Sequence, residues 1–451
     1  MPQRGKKRTA VVRSVLLAAS VSCWPAAAAA QTPYNIAVPV DKLSLIFTQL
    51  FGPEGLKVDS QALLPGEQPH TAHFNSDFQS EFSQFSTALT SQLVTVPLPS
   101  PASGFTYRFD PGLGVFTRTS QSFGPILSER AETIGSQRSS FGFTYQKFTF
   151  DTIEGLDLDH IPAVFTHDNA QLLGGRQDLV TTTNSVNATV DQFTAFLTYG
   201  LTDSLDLSVA LPFVSTDLSV IADAHIQRIG TTNELTHFYR QSDGSVGTER
   251  IFTAFGSASG IGDITVRMKN VFAKNGPNGF AGGLDIRLPT GDDENLLGTG
   301  APGVEPFFIW SAAYGVVAPH LNFGYQWNGS SPLAATPGSG ESKSLPDRVS
   351  YIAGADFGVS PHLTFVFDLI GRYIIDSPRL NQETFHALDG VSTFPNVTFR
   401  NESFNELSGA VGFKVNVIGR LLADFNLLFA LDDNGLRDKV TPLVGFEFAF
   451  K

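Results

Sequence analysis

Apolar and polar positions alternate along the chain from about Ser139 to its last residue. In LDLSVALPF (205–213), Leu205, Leu207, Val209, Leu211 and Phe213 share one face, and Asp206 and Ser208 share the other. In HLTFVFDLIGRYI (362–374), Leu363, Phe365, Phe367, Leu369 and Tyr373 oppose Thr364, Asp368 and Arg372. Successive side chains of a strand point to opposite faces, so each segment predicts a strand with one greasy and one polar side. Twelve such strands are predicted, near 139–151, 188–200, 204–222, 262–274, 279–290, 304–316, 319–329, 347–359, 362–376, 403–416, 419–432 and 438–450. Short links, such as Leu201-Thr202-Asp203, 274–279, Val317-Ala318, Ser360-Pro361 and Val417-Ile418, alternate with long ones at 152–187, 223–261, 291–303, 330–346 and 377–402. A soluble β-sandwich also alternates, but its strands average about five or six residues, whereas these run to ten or more. The pattern therefore predicts an all-β chain, a transmembrane antiparallel β-barrel of twelve strands with short periplasmic turns and long external loops. A hairpin at 105–119, centred on Asp110-Pro111-Gly112, would raise the number to fourteen.

The alternation assigns the two faces. Phe193, Leu197, Tyr199, Leu284, Ile286, Leu288, Phe323, Phe425, Phe429, Phe446 and Phe448 point to lipid. Aromatic side chains near strand ends predict two interfacial girdles: Trp327, Tyr351 and Tyr373 on the outer side, Tyr199, Tyr314 and Phe450 on the periplasmic side. The inward face carries both signs of charge: Asp206, Arg267, Lys269, Asp285, Arg287, Asp356, Asp368, Arg372, Lys414, Asp424 and Glu447. Arg267 and Lys269 lie on the strand next to Asp285 and Arg287, within reach of pairing across the wall. Such a lining is either a polar pore that selects solutes or a lattice of ion pairs that stiffens the barrel.

The first hundred residues are different. Residues 1–30 have a basic start, an apolar stretch and an alanine-rich end. They predict an export signal cleaved near Ala30, and with it a bacterial outer-membrane destination. No later stretch of about 18 apolar residues predicts a transmembrane helix. Residues 31–103 read as a small N-terminal segment, periplasmic or plugging, ahead of a barrel domain at 104–451. Leu43, Ile46, Phe47, Leu50 and Phe51 fall at helical spacing after Asp41, and so do Phe74, Phe78, Phe82, Phe85 and Leu89. VPLPSPAS (96–103) reads as a linker.

Composition narrows the function classes. Charged residues make up 16% of the 451-residue chain, against about 25% in soluble domains. The net charge is −13 and becomes more acidic without the leader's five basic residues, which argues against nucleic acid as a partner. The one cysteine, Cys23, lies in the leader, so the exported chain has no thiol chemistry. GSASG (256–260) has Ala258 where a G-x-S-x-G nucleophile belongs, and NELTH (233–237) has Asn233 where a zinc-binding H-E-x-x-H begins. GDDENLLGTG (291–300) gathers Asp292, Asp293 and Glu294 but lacks calcium-loop spacing and reads as a solvated acidic tip. His160, His167, His225 and His237 fall in long loops, where histidines are usually solvated. No catalytic residue, metal site or cofactor is predicted.

YGLTDSLDLSVALPFV (199–214), GIGDITVRMKNVF (260–272) and GLDIRLPTGDD (283–293) resemble the outer-membrane family described as "putative MetA-pathway of phenol degradation". The motif positions are Gly200, Leu201, Thr202 and Asp203; Gly260, Gly262 and Asp263; and Leu288, Pro289, Thr290 and Gly291. The resemblance covers roughly 140–450 and extends, more distantly, to FadL-like channels for hydrophobic compounds. It implies passive passage of small, hydrophobic or aromatic solutes across the outer membrane. Outer-membrane lipid, lipopolysaccharide, the solute and the barrel-assembly machinery would then be its partners. A structural or surface-interaction barrel with a closed lumen is the alternative, and a lipid-modifying barrel enzyme a third reading without a nucleophile motif to support it.

Overall fold

The computed structural model describes residues 34–52, 55–61, 72–75, 107–110, 115–118, 121–167, 174–335 and 339–450. Twelve antiparallel strands close into a barrel. They are β1 (Ser139–Thr149), β2 (Leu179–Gly200), β3 (Leu205–Gln227), β4 (Ile264–Asn275), β5 (Asn278–Leu288), β6 (Gly303–Ala312), β7 (Val317–Asn328), β8 (Arg348–Ser360), β9 (Leu363–His386), β10 (Thr393–Ile418), β11 (Leu421–Ala430) and β12 (Val440–Phe450). Each pairs with the next, and β12 pairs back onto β1 from Leu443↔Gln146 to Phe450↔Ser139. Every predicted wall strand is present, and turns and loops alternate as expected. The Tyr107–Asp110 and Val115–Arg118 hairpin pairs only with itself, so the wall has twelve strands rather than fourteen.

Strand length is where the molecule departs from its predicted outline. β2, β3, β9 and β10 run to 22, 23, 24 and 26 residues, more than the 9–11 needed to cross a bilayer. The excess projects beyond the loop end, and the polarity of the two faces inverts there. In β1, β2 and β3 the outward row Tyr145–Phe193–Phe213 is apolar, and the next row toward the loops, Lys147–Asp191–Ser215, is polar. Above that level the outward side carries Thr181, Thr183, Ser185 and Asn187, while inward Val186, Ala188, Leu218, Val220 and Ala222 are buried. The cause is the change of solvent. Within the bilayer the outside is hydrocarbon and the inside is polar; above it the outside is water, and only inward apolar side chains find a core. Lys147 and Asp191 ion-pair at 3.0 Å on this boundary.

The projecting strands would present open edges, and other segments cover them. Ile161–His167 pairs with β2 from Leu179 to Asn184. Asn35–Pro39 pairs in parallel with Glu249–Ile261, a strand that continues the β4 path above the membrane level. The described N-terminal residues therefore sit at the loop end. Leu43–Leu45 and Ile46–Gln49 form the helical turn expected there, burying Leu43, Ile46 and Phe47. Phe74 belongs to a strand, Ala72–Asn75, rather than to a helix. The leader, the 96–103 linker and residues 78–89 lie outside the described residues. One apolar core joins Val40, Ile46 and Leu50 to Val190, Val220, Leu297, Val397 and Phe399. It roofs the loop end of the lumen, and Val164 N–H donates to Asn396 Oδ1 across that mouth at 3.0 Å.

Candidate functional site: the barrel lumen

The lumen is not empty at its other end. Residues 121–138, just before β1, have no helix or strand up to Arg138, yet almost all of them are buried. They pass inside the wall near the short turns. Backbone and side-chain groups of this segment are met by inward groups of the strands. Phe123 N–H donates to Thr364 Oγ1 at 2.9 Å, Ser128 Oγ to Asp368 Oδ1 at 2.9 Å, Ala131 N–H to Ser311 Oγ at 2.9 Å, and Ile134 N–H to Asp206 Oδ2 at 3.1 Å. Ser122 Oγ donates to Asp356. Apolar contacts complete the fit: Phe123 on Leu422 and Ala449, Ile126 and Leu127 on Val366 and Leu443, Ala131 on Val271 and Ile309. A chain without regular structure, buried in a barrel, needs partners for its peptide groups, and the inward polar face supplies them.

Glu129 is the charged anchor of this segment. Its carboxylate accepts from Arg267 Nη1 at 2.6 Å and Lys269 Nζ at 3.1 Å. Arg267 is also held by Asp285 through Nε at 2.7 Å and Nη2 at 2.5 Å, and its guanidinium lies 4.9 Å from the centre of the Phe307 ring. The pairing of Arg267 with Asp285 is thus the one suggested by strand adjacency, whereas Lys269 turns to Glu129 and to the carbonyls of Arg130 and Glu132. Arg287 lies 3.8 Å from Asp263 and donates to Asn328 Oδ1 at 2.7 Å.

The other inward charges are also placed. Asp356 and Asp368 flank His320, at 3.5 Å from Nδ1 and 2.7 Å from Nε2. Arg372 meets Glu406 at 3.3 Å, and Lys414 meets Glu447 at 3.9 Å, with Asp424 opposite Lys414 in register. Of the aromatic girdle positions, Tyr199, Tyr314, Trp327, Tyr373 and Phe450 are exposed on the barrel's outer surface, while Tyr351 is half-buried and donates to Asn405 Oδ1 at 2.6 Å.

Glu129, Glu305, His320, Arg348 and Glu406 belong to the same lining and were not singled out from the sequence. Two-residue stepping finds several of them. Arg348 shares parity with Asp356, Glu406 with Lys414, and His320 with Asn322 and Gly324. Glu129 lies in a stretch without period, so alternation carries no signal for it.

The family motifs are knots that tie loops to this lining. Asp263 accepts from Gly291 N–H at 3.0 Å and Thr299 N–H at 2.8 Å, and Thr290 Oγ1 donates to the Gly262 carbonyl at 2.7 Å. A Cβ at Gly262 would lie about 3.0 Å from Val214 Cγ2 and 3.1 Å from the Leu297 carbonyl oxygen, so a side chain there would force its neighbours to shift. The Gly200–Asp203 turn is bound by the inner segment, with Ser136 N–H donating to Asp203 Oδ1 at 3.1 Å. The acidic loop is tied down as well: Glu294 pairs with Lys42 at 2.7 Å, and burial, reinforced by the charges of Asp292 and Glu294, pushes the Asp293 carboxyl up. Among the loop histidines, His160 and His225 are exposed, but His167 and His237 are buried against Phe74, with His237 Nδ1 2.9 Å from Asp178. Burial under the roof, not solvation, accounts for those two. Among the described residues, no three His, Cys, Asp or Glu side chains converge on a metal position.

Between inner segment and roof lies a cavity of about 240 Å³. Leu127 and Glu129 form its floor, and Val190, Val214 and Leu297 line its upper side. Its wall residues include apolar Phe196 and Ala210 on β2 and β3 and Ile352 and Ile370 on β8 and β9, and charged Arg267, Asp285, Arg287, Glu305, Arg348 and Arg372.

Residues 168–367 match the family model "Putative MetA-pathway of phenol degradation". Among solved structures, the COG4313 outer membrane channel from Pseudomonas putida F1 aligns at 14% identity over 72% of this chain and 99% of that one, with a TM-score of 0.43. A Pseudomonas aeruginosa FadL homologue aligns at 9% identity over 70% and 89%, with a TM-score of 0.28. No curated protein matches the chain.

Proposed function

We propose that this protein is an outer-membrane channel through which small organic solutes, hydrophobic ones included, pass down their gradient. The cavity inside the lumen carries this reading. It lies between polar wall strands, is lined by both apolar and charged side chains, and is of a size for one small molecule rather than a bulk water column. A cavity of about 150 Å³ suffices for benzene, so 240 Å³ admits a substituted ring. The match to a family described by phenol degradation supports a solute of this kind. Passage requires both closures to yield, the roof at the loop end and the inner segment that fills the turn end of the barrel. The segment's hold is mainly hydrogen bonds and ion pairs, and such a hydrogen bond is worth only about 0.5–1.5 kcal/mol net once water takes the partners' place. Lipid and lipopolysaccharide would surround the apolar outer band.

The test is uptake. Proteoliposomes holding the purified barrel should accumulate small aromatic solutes faster than empty liposomes, and equal rates would contradict the channel. A second reading, a surface-interaction barrel with a permanently closed lumen, is favoured by the roof and inner segment together. It predicts equal rates under every condition.

A further inference from the structure

Among the described residues, salt bridges around the cavity leave one cation, Arg348, and one carboxylate, Glu305, without a partner at ion-pair distance. Arg267 is held by Glu129 and Asp285, Arg372 by Glu406, and Arg287 by Asn328 and, at longer range, Asp263. Arg348 lines the same cavity and has no hydrogen-bond or ion-pair partner among the described residues. It stands on β8 with Ser350 and Ile352 on the inward parity, where Ser350 Oγ donates to Glu305 at 2.5 Å. A guanidinium offers five N–H donors in a planar fork, and such a group withdrawn from bulk water needs acceptors. Arg287 lines the same cavity, while its Nε–H is buried without a hydrogen bond, 3.8 Å from Asp263. Glu305 and Glu406 act on Arg348 through their charge, but the hydrogen bond that Glu305 accepts comes from Ser350, and no acceptor among the described residues meets the Arg348 fork. Across the barrel from β8, Val190 and Phe196 on β2 and Val214 on β3 give the cavity apolar lining.

We infer that the cavity binds a small amphipathic carboxylate, its ring or short chain on the apolar lining and its carboxylate on Arg348, with Arg287 beside it. Bidentate pairing with a carboxylate is the arrangement that satisfies an arginine fork best. The volume admits about ten non-hydrogen atoms, scaling from the six of benzene in about 150 Å³. The inference rests on reading the lumen as a solute path, and it adds a charge preference. Glu305 works against the ligand's charge, so it moderates affinity and favours release.

The experiment compares 3-phenylpropionate with 3-phenylpropanol, which share a ring and chain and differ in the headgroup. Equilibrium dialysis against the full-length barrel in nanodiscs, with empty nanodiscs subtracted, reads binding alone. The expected result is tighter binding of the acid, weakened about ten- to hundred-fold by Arg348→Gln, with the alcohol unchanged. Glu305→Gln should strengthen the acid and leave the alcohol alone. Equal binding of acid and alcohol by the wild type would overturn the inference without recourse to any variant. Parallel loss of both ligands in Arg348→Gln would also overturn it, because that variant would then act only through the fold. Liposome uptake is measured separately. Uptake of both solutes without a binding preference removes the carboxylate site and leaves the channel, while a binding preference without uptake does the reverse.

Discussion

At the scale of single residues, the lumen is governed by where each charge finds its partner. Glu129 is the clearest case, because one carboxylate ties a segment without secondary structure to two cations on β4. Breaking a buried pair by removing one partner costs about 3–5 kcal/mol. Glu129→Gln should fall near the lower end, since Arg267 keeps Asp285. Equilibrium unfolding in detergent, followed by the shift between folded and unfolded gel mobility, should show that loss; unchanged stability would mean that Glu129 does not anchor the segment. The pairing of Arg267 with Asp285 was legible because adjacent strands put inward residues side by side. Its completion by Glu129 was not, because a contact between residues 138 positions apart leaves no periodic trace.

At the scale of elements, the strands carry their own record of the membrane. Existence and order of all twelve were readable from alternation, but the length of β2, β3, β9 and β10 was not. A reading that asks only whether a strand is amphipathic does not ask which face is apolar. In β2 the apolar parity passes from odd positions (Phe193, Leu197, Tyr199) to even ones (Val186, Ala188, Val190), and that exchange marks the bilayer edge. The consequence is directional. Leu197→Lys places a charge on the lipid face and should cost about 2–4 kcal/mol if that site lies near the midplane. Ser185→Lys, on the same outward parity above the boundary, should change stability by less than about 0.5 kcal/mol. Folding free energies in lipid bilayers check both. Similar costs at the two sites would mean that the parity exchange is not the membrane edge. The N-terminal residues show the opposite limit of legibility. The helical turn at Ile46–Gln49 follows from its own spacing, but its place at the loop end depends on the open edge of Glu249–Ile261, a distant strand.

At the scale of the whole molecule, the protein is a barrel closed twice: by an apolar core above the membrane and by a hydrogen-bonded segment at the turn end. The closures differ in kind. The roof is a packed core continuous with the projecting sheet, whereas residues 121–138 rest on inward polar groups. That difference makes the inner segment the more readily displaced of the two, and its displacement controls the path at the turn end. A covalent lock tests this, because the sequence has one cysteine, Cys23, far from residues 121–138 in the chain and replaceable by serine. A Cβ built on Gly279 of β5 would lie 3.0 Å from Ala131 Cβ, and a shift of about half an ångström brings the pair into the disulfide range. The deciding measurement is single-channel recording of the Ala131→Cys/Gly279→Cys protein in planar bilayers, before and after reduction. Conductance steps should appear in the reduced protein and vanish on oxidation. Steps that persist unchanged in the oxidised form, or silence in both forms, would contradict a channel opened by the inner segment.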